Sequence, residues 1–220
     1  MKLVWSPDLA SKAYIDTVKY CQKRCRESSV AEIVSAMAAG WTAKLIVETW
    51  SKGGIITTSV GLAVAAHHSG GRHVCIVPDE ESRKEYSETV TKTSGVQTEI
   101  IVGEPETLVA GLIGIDFLVV DCGKNDFARI FQVAKLGNRG AVLVSKNASS
   151  RAVTEFRWLS ILDGESTRRI VRSVFLPVGK GLNIAHVSAV GEKSSAPAKG
   201  HSRWFKHIDR HTGEEIVIRM

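Results

Sequence analysis

Residues 45–58, LIVETWSKGGIITT, hold an acid and a pair of glycines at a spacing that could serve a nucleotide-type ligand. The apolar run Leu45-Ile46-Val47 ends in Glu48, a polar loop carries Gly53 and Gly54, and an apolar segment from Thr57 to Ala66 has helical character. Strand, acid, glycine-containing loop and helix is the order in which doubly wound α/β folds build a pocket. Glycine lets backbone approach a ligand and takes positive φ without strain. A second acid, Asp121, closes the apolar run Phe117-Leu118-Val119-Val120, and the C-terminal end of a strand is the pocket side of an open α/β sheet. The chain contains no GxSxG, GxxxxGK[ST] or HExxH, so hydrolase, P-loop and zincin chemistries have no support. A nicotinamide-dependent reductase is disfavoured because the first loop lacks GxGxxG.

These residues need elements to position them. Ser6-Pro7-Asp8 is a helix start signal, and a second helix fits residues 28–39, closed by Gly40, with Ser29 and Glu32 at capping-box spacing. Strands are then predicted over 43–48, 73–77, 97–102, 115–120 and 140–145, alternating with helices over 57–69, 80–94, 105–112 and 126–136. Apolar strands alternating with helices imply a mostly parallel sheet covered on both faces. Residues 168–190 read instead as two strands joined at Gly179-Lys180-Gly181, an antiparallel hairpin. The fold class is therefore α/β: a Rossmann-like, doubly wound, mostly parallel sheet with a C-terminal antiparallel hairpin. Residues 1–190 are expected to form one domain, with 1–40 as leading helices. Residues 191–220 would be a polar linker and a short hairpin turning at Thr212-Gly213.

A chain of 220 residues can bury a substantial core. No apolar run reaches the ~20 residues needed to span a bilayer, and the start lacks a secretory h-region. Cys21, Cys25, Cys75 and Cys122 show no disulfide framework. An intracellular, cytoplasmic protein without membrane partners is expected. The net charge of +6 is uneven: residues 124–180 hold eleven Lys/Arg against four Asp/Glu, net +7, and residues 79–106 hold eight acids against three bases, net −5. Such asymmetry attracts an anionic substrate or nucleic acid, although a solvated basic face gives the same count.

Three stretches carry a resemblance to class I S-adenosylmethionine-dependent methyltransferases, and over residues 43–190 to the small O-methyltransferases of the catechol and caffeoyl-CoA type. They are Glu48 with the loop to Gly54, the fourth-strand segment FLVVDCGKNDF with Asp121 and Lys124, and the turn LPVGKGL at 176–182. The whole chain also resembles an uncharacterised plant family described as methyltransferase-like. The resemblance implies S-adenosylmethionine as cofactor. Glu48, Gly53 and Gly54 would meet its amino-acid end. Asp79 or Glu80, after the second strand, would accept the ribose hydroxyls, and Gly103 would lie by the adenine. Asp121 matches an acid that binds a divalent cation in the metal-dependent relatives, and Lys124 matches the lysine that takes a proton from the acceptor hydroxyl.

Two positions depart from that pattern. Trp50 stands near a usual glycine and would narrow the pocket. After the fifth strand the relatives supply an Asp-Asn pair of metal ligands, whereas this chain has Lys146-Asn147. An ammonium repels a divalent cation, so no metal is expected. Lys146 would instead pair with Asp121 or bind an anion. The resulting expectation is an S-adenosylmethionine-binding protein that transfers a methyl group, without metal, to an unknown small-molecule or macromolecular acceptor, with Lys124, Asp121 and Lys146 as catalytic residues. The alternative is an inactive methyltransferase-like binding or regulatory protein.

Overall fold

A computed structural model describes residues 5–22, 29–94, 98–122, 127–148, 158, 168–191, 204–208 and 215–219. Helices α1 (Pro7–Gln22) and α2 (Ser29–Gly40) precede β1 (Leu45–Thr49), α3 (Ile56–Ser69), β2 (Arg72–Val77), α4 (Glu80–Ser94), β3 (Glu99–Val102) and α5 (Pro105–Gly111). Then come β4 (Ile113–Ile115), β5 (Phe117–Asp121), α6 (Phe127–Val133), β6 (Lys135–Leu136), β7 (Ala141–Lys146), β8 (Ile170–Leu176) and β9 (Leu182–Val187). Strands β10 (Trp204–Ile208) and β11 (Glu215–Arg219) pair antiparallel with each other, as expected of the tail hairpin; the residues of its turn lie outside the described residues.

The main sheet has the order β3-β2-β1-β5-β7-β9-β8. The first five strands are parallel, and β9 runs antiparallel to both β7 and β8. This is the Rossmann-like, mostly parallel sheet with a C-terminal antiparallel segment anticipated from the strand pattern. All five residues of β1 are buried, as are all six of β7. Burial on both faces is why these strands read as continuous apolar runs rather than alternating ones. The ladder carries one face of side chains from Glu48 to Val119 to Val144, and two residues further on it sets Asp121 opposite Lys146.

Helices α1, α2 and α3 cover that face through Ala13, Val34, Val60 and Val64, which pack against Ile46, Val119 and Val144. Helix α3 is buried on nearly every side from Thr57 to Ala66. It crosses α2 so closely that a Cβ at Gly61 would lie 2.6 Å from the Ala31 carbonyl oxygen. Val109 of α5, Phe127 and Phe131 of α6, and Trp158 cover the opposite face.

The two short strands β4 and β6 make a separate parallel pair and were not anticipated. Chain expected to extend the fourth strand at its start and the following helix at its end is spent on this pair, so β5 starts at Phe117 and α6 stops at Val133. No helix among the described residues is long and apolar enough to cross a membrane.

Candidate functional site

Glu48, the penultimate residue of the fully buried β1, has no solvent exposure. The Tyr86 hydroxyl of α4 donates to its Oε1 at 2.6 Å, and the Ser59 hydroxyl of α3 donates to its Oε2 at 3.0 Å. His73 Nε2 of β2 lies 3.2 Å from Oε1. The register explains the grouping: Glu48 lies opposite Cys75, so His73, two residues earlier, shares its face. Burial alone pushes the Glu48 carboxyl up, but His73, the Lys146 charge and the Tyr86 hydroxyl outweigh it and hold it below the usual carboxylate value. Burial beside this carboxylate pushes the Tyr86 phenol and the Cys75 thiol well up. Glu48 thus pins β1, β2, α3 and α4 together beneath the loop.

The loop above it turns through a Gly54 N–H to Ser51 carbonyl bond of 2.8 Å. Gly53 has φ of 78°, and a Cβ at Gly54 would lie 2.8 Å from both the Ser51 carbonyl oxygen and Trp50 Nε1. Trp50 is 4% exposed and meets Tyr86 edge-on, with ring centroids 5.3 Å apart; its indole N–H is buried without a hydrogen-bond partner.

Two cavities flank the loop at the C-terminal ends of the strands. The first, about 200 Å³, is bounded by Thr49, Trp50, Pro78, Glu104, Asp121 and Phe127, among others. The second, about 160 Å³, is bounded by Gly53 and Gly54, the start of α3, Asp121, Lys146, Asn147 and the turn before β9. Asp121 belongs to both. The Asn147 amide donates to Asp121 Oδ1 at 2.7 Å, and Asn147 holds the left-handed φ of 58°.

The expected site residues therefore separate. Gly53, Gly54, Asp121 and Lys146 converge on the second cavity. Glu48 lies under the loop and lines neither cavity. Asp79 is exposed and its Oδ1 accepts the Ser82 backbone N–H at 2.7 Å, an N-terminal cap for α4. Glu80 is likewise exposed, 3.3 Å from Arg83 Nη1. Gly103, at φ of 147°, bonds through its N–H to the Val77 carbonyl, and its neighbour Glu104 meets the first cavity instead. Lys124 lies outside the described residues. Asp121 stands opposite Lys146 in the strand register and accepts the Asn147 amide. Residues that sequence reasoning did not single out include Tyr86, Ser59 and His73 around Glu48, and Ser29, Thr57, Thr58 and Lys180 around the second cavity. The Thr57-Thr58 pair at the first turn of an otherwise apolar helix was the available signal. Among the described residues no group of three or more His, Cys, Asp or Glu converges as a metal cage.

The model of the family described as "Protein of unknown function (DUF1442)" matches residues 1–220. The chain belongs to that family. Comparison with curated protein sequences finds no match for this DUF1442 chain. Its fold is similar to a methyltransferase from Geobacter sulfurreducens, with TM-score 0.57 and 20% identity over 83% of this chain and 89% of the other. It is also similar to cofactor-bound Rv0187 from MTB, with TM-score 0.55 and 17% identity over 83% and 91%. A third similar structure is the SAH-bound Podospora anserina methyltransferase PaMTH1, with TM-score 0.54 and 15% identity over 84% and 89%. At these identities the likeness establishes the class I methyltransferase-like fold of the DUF1442 chain.

Proposed function

We propose that this protein binds S-adenosylmethionine over the loop between β1 and α3 and transfers its methyl group, without metal, to an acceptor on the Lys146 side. The observation that carries the reading is the pair of cavities meeting at Asp121, one on each side of that loop. Similar folds, one described as cofactor-bound and one bound to SAH, support it. When bound, the cofactor supplies an electrophilic methyl group on a sulfonium.

The residues fit such a ligand at two ends. Pro78 and Phe127 offer an apolar slot for a base, with Glu104 beside them. Gly53, Gly54 and the first turn of α3 offer backbone N–H groups to a carboxylate, as helix N-termini do. Asp121, half-buried and steadied by Asn147, would orient the ligand between them. The protein's contribution would be mainly positioning. Lys124 would serve as the base for an acceptor hydroxyl. At 4 Å and an effective dielectric of ~20, an ammonium at Lys146 would repel a dication by about 8 kcal/mol, which argues for a metal-free site.

A second reading, a binding or regulatory protein without catalysis, is favoured by Trp50, whose indole takes up space in the first cavity. Calorimetric titration with S-adenosylmethionine, S-adenosylhomocysteine and NADP, with and without Mg²⁺, tests both. Absence of heat with either sulfur compound would sink the first reading. Binding of both without methyl transfer to any extract component would favour the second. Metal-enhanced binding would overturn the metal-free site.

A further inference from the structure

We propose that the second cavity is an anion-binding subsite in which the Lys146 ammonium anchors the carboxylate of a small, otherwise apolar acceptor. The word acceptor rests on the methyl-transfer reading; the anion site does not.

Lys146 is the last residue of β7 and is only 5% exposed. Among the described residues its ammonium makes neither a hydrogen bond nor an ion pair. Asp121, its register partner, is bonded to Asn147 instead. Glu48 senses the Lys146 charge, but its oxygens are taken by Tyr86 and Ser59 with His73 alongside. The residue is mostly buried and lines the second cavity, so an anion held there would meet an ammonium that no protein group among the described residues pairs with.

The wall of the cavity adds to the same preference. Helix α3, fourteen residues long, begins there, and its cap residue Ile55 makes no side-chain capping bond. Thr57 and Thr58 of its first turn line the same cavity as Lys146 and carry hydroxyl donors. Exposed Lys180 adds a positive charge on the turn before β9. Asp121 contributes one negative charge, which favours a singly charged carboxylate over a dianionic phosphate. Val30 and Leu182 supply apolar wall for the rest of the molecule.

The test is calorimetric titration of the full chain with benzoate, its neutral isostere benzamide, and inorganic phosphate, each with and without saturating S-adenosylhomocysteine. Benzoate is expected to bind at least tenfold more tightly than benzamide. Lys146→Met should abolish that preference, Lys146→Arg should keep part of it, and Lys180→Gln should weaken benzoate two- to threefold. Equal affinity for benzoate and benzamide in the natural chain overturns the proposal without any variant. So does phosphate binding tighter than benzoate, or unchanged benzoate affinity in Lys146→Met. Should Lys146→Met fail to fold, the natural-chain comparison and Lys180→Gln decide. S-adenosylhomocysteine heat without a benzoate preference sinks the anion site alone. A Lys146-dependent benzoate preference without that heat sinks the cofactor reading alone.

Discussion

The Asn147 amide donates to the Asp121 carboxylate at 2.7 Å across the ends of two adjacent parallel strands, and the Asn147 backbone reaches it from the left-handed region at φ of 58°. Asparagine tolerates that conformation better than most residues, and alanine does not. Asn147→Ala loses both the bond and the backbone fit, whereas Asn147→Gly loses only the bond. Urea unfolding should therefore find Asn147→Ala less stable than Asn147→Gly by about 1 kcal/mol. The reverse order would mean that the left-handed conformation at position 147 costs alanine nothing.

Glu48 makes the fold sensitive to acid. Its folded value is held below the ordinary 4.5, so the stability it adds is fully present above about pH 4.5 and is lost as pH falls through the lower folded value. Glu48→Gln should flatten the acid limb of a stability-against-pH curve. Tyr86→Phe should cost about 1–3 kcal/mol at neutral pH by removing a donor from a buried carboxylate. An unchanged acid limb in Glu48→Gln would assign the acid sensitivity elsewhere.

The two loop glycines should respond differently to alanine. At Gly53 a Cβ meets nothing within 4 Å and only the φ of 78° opposes it, a cost of about 1 kcal/mol. At Gly54 the Cβ strikes the Ser51 carbonyl oxygen and the Trp50 indole at 2.8 Å, so the loop must shift. Thermal unfolding should rank Gly54→Ala below Gly53→Ala, with a change in Trp50 fluorescence only for Gly54→Ala. Identical spectra would show that the loop yields without moving the indole.

The buried thiols should be inert. Burial pushes Cys122 up to about 12 and Cys75 well up, so neither is a thiolate at neutral pH. Both should react with a disulfide reagent only after denaturation. Because the folded Cys122 value exceeds the ordinary 9.0, its contribution to stability is intact below pH 9 and declines as pH rises from there toward 12. Rapid labelling of native protein at Cys122, located by peptide mapping, would contradict this burial.

Doubly buried strands such as β1 and β7 were legible because nothing interrupts their apolar runs. Strands β4 and β6 were not, being three and two residues long with Gly114 inside the first. Glu48 was legible as an acid at a strand end, but its role depends on Tyr86, 38 residues away, and on a register that composition does not contain. Asp79 sits where a ribose acid would, yet the first turn of α4 needs a cap and takes one of its oxygens. Lys146 was legible as a substitution. That Asp121, opposite it in the register, accepts the Asn147 amide depends on a strand pairing and a left-handed residue that composition does not contain.

The walls of the second cavity come from residues near 29, 54, 121, 146 and 180 of the chain. No fragment ending before the β8–β9 turn can assemble it, so occupancy reports on the whole folded sheet rather than on one loop. A molecule that fills it raises the unfolding free energy of the entire domain, by about 2.7 kcal/mol at a hundred times its Kd. Melting-temperature screens of small acids are thus a direct way to search for the natural ligand, even before any reaction is known.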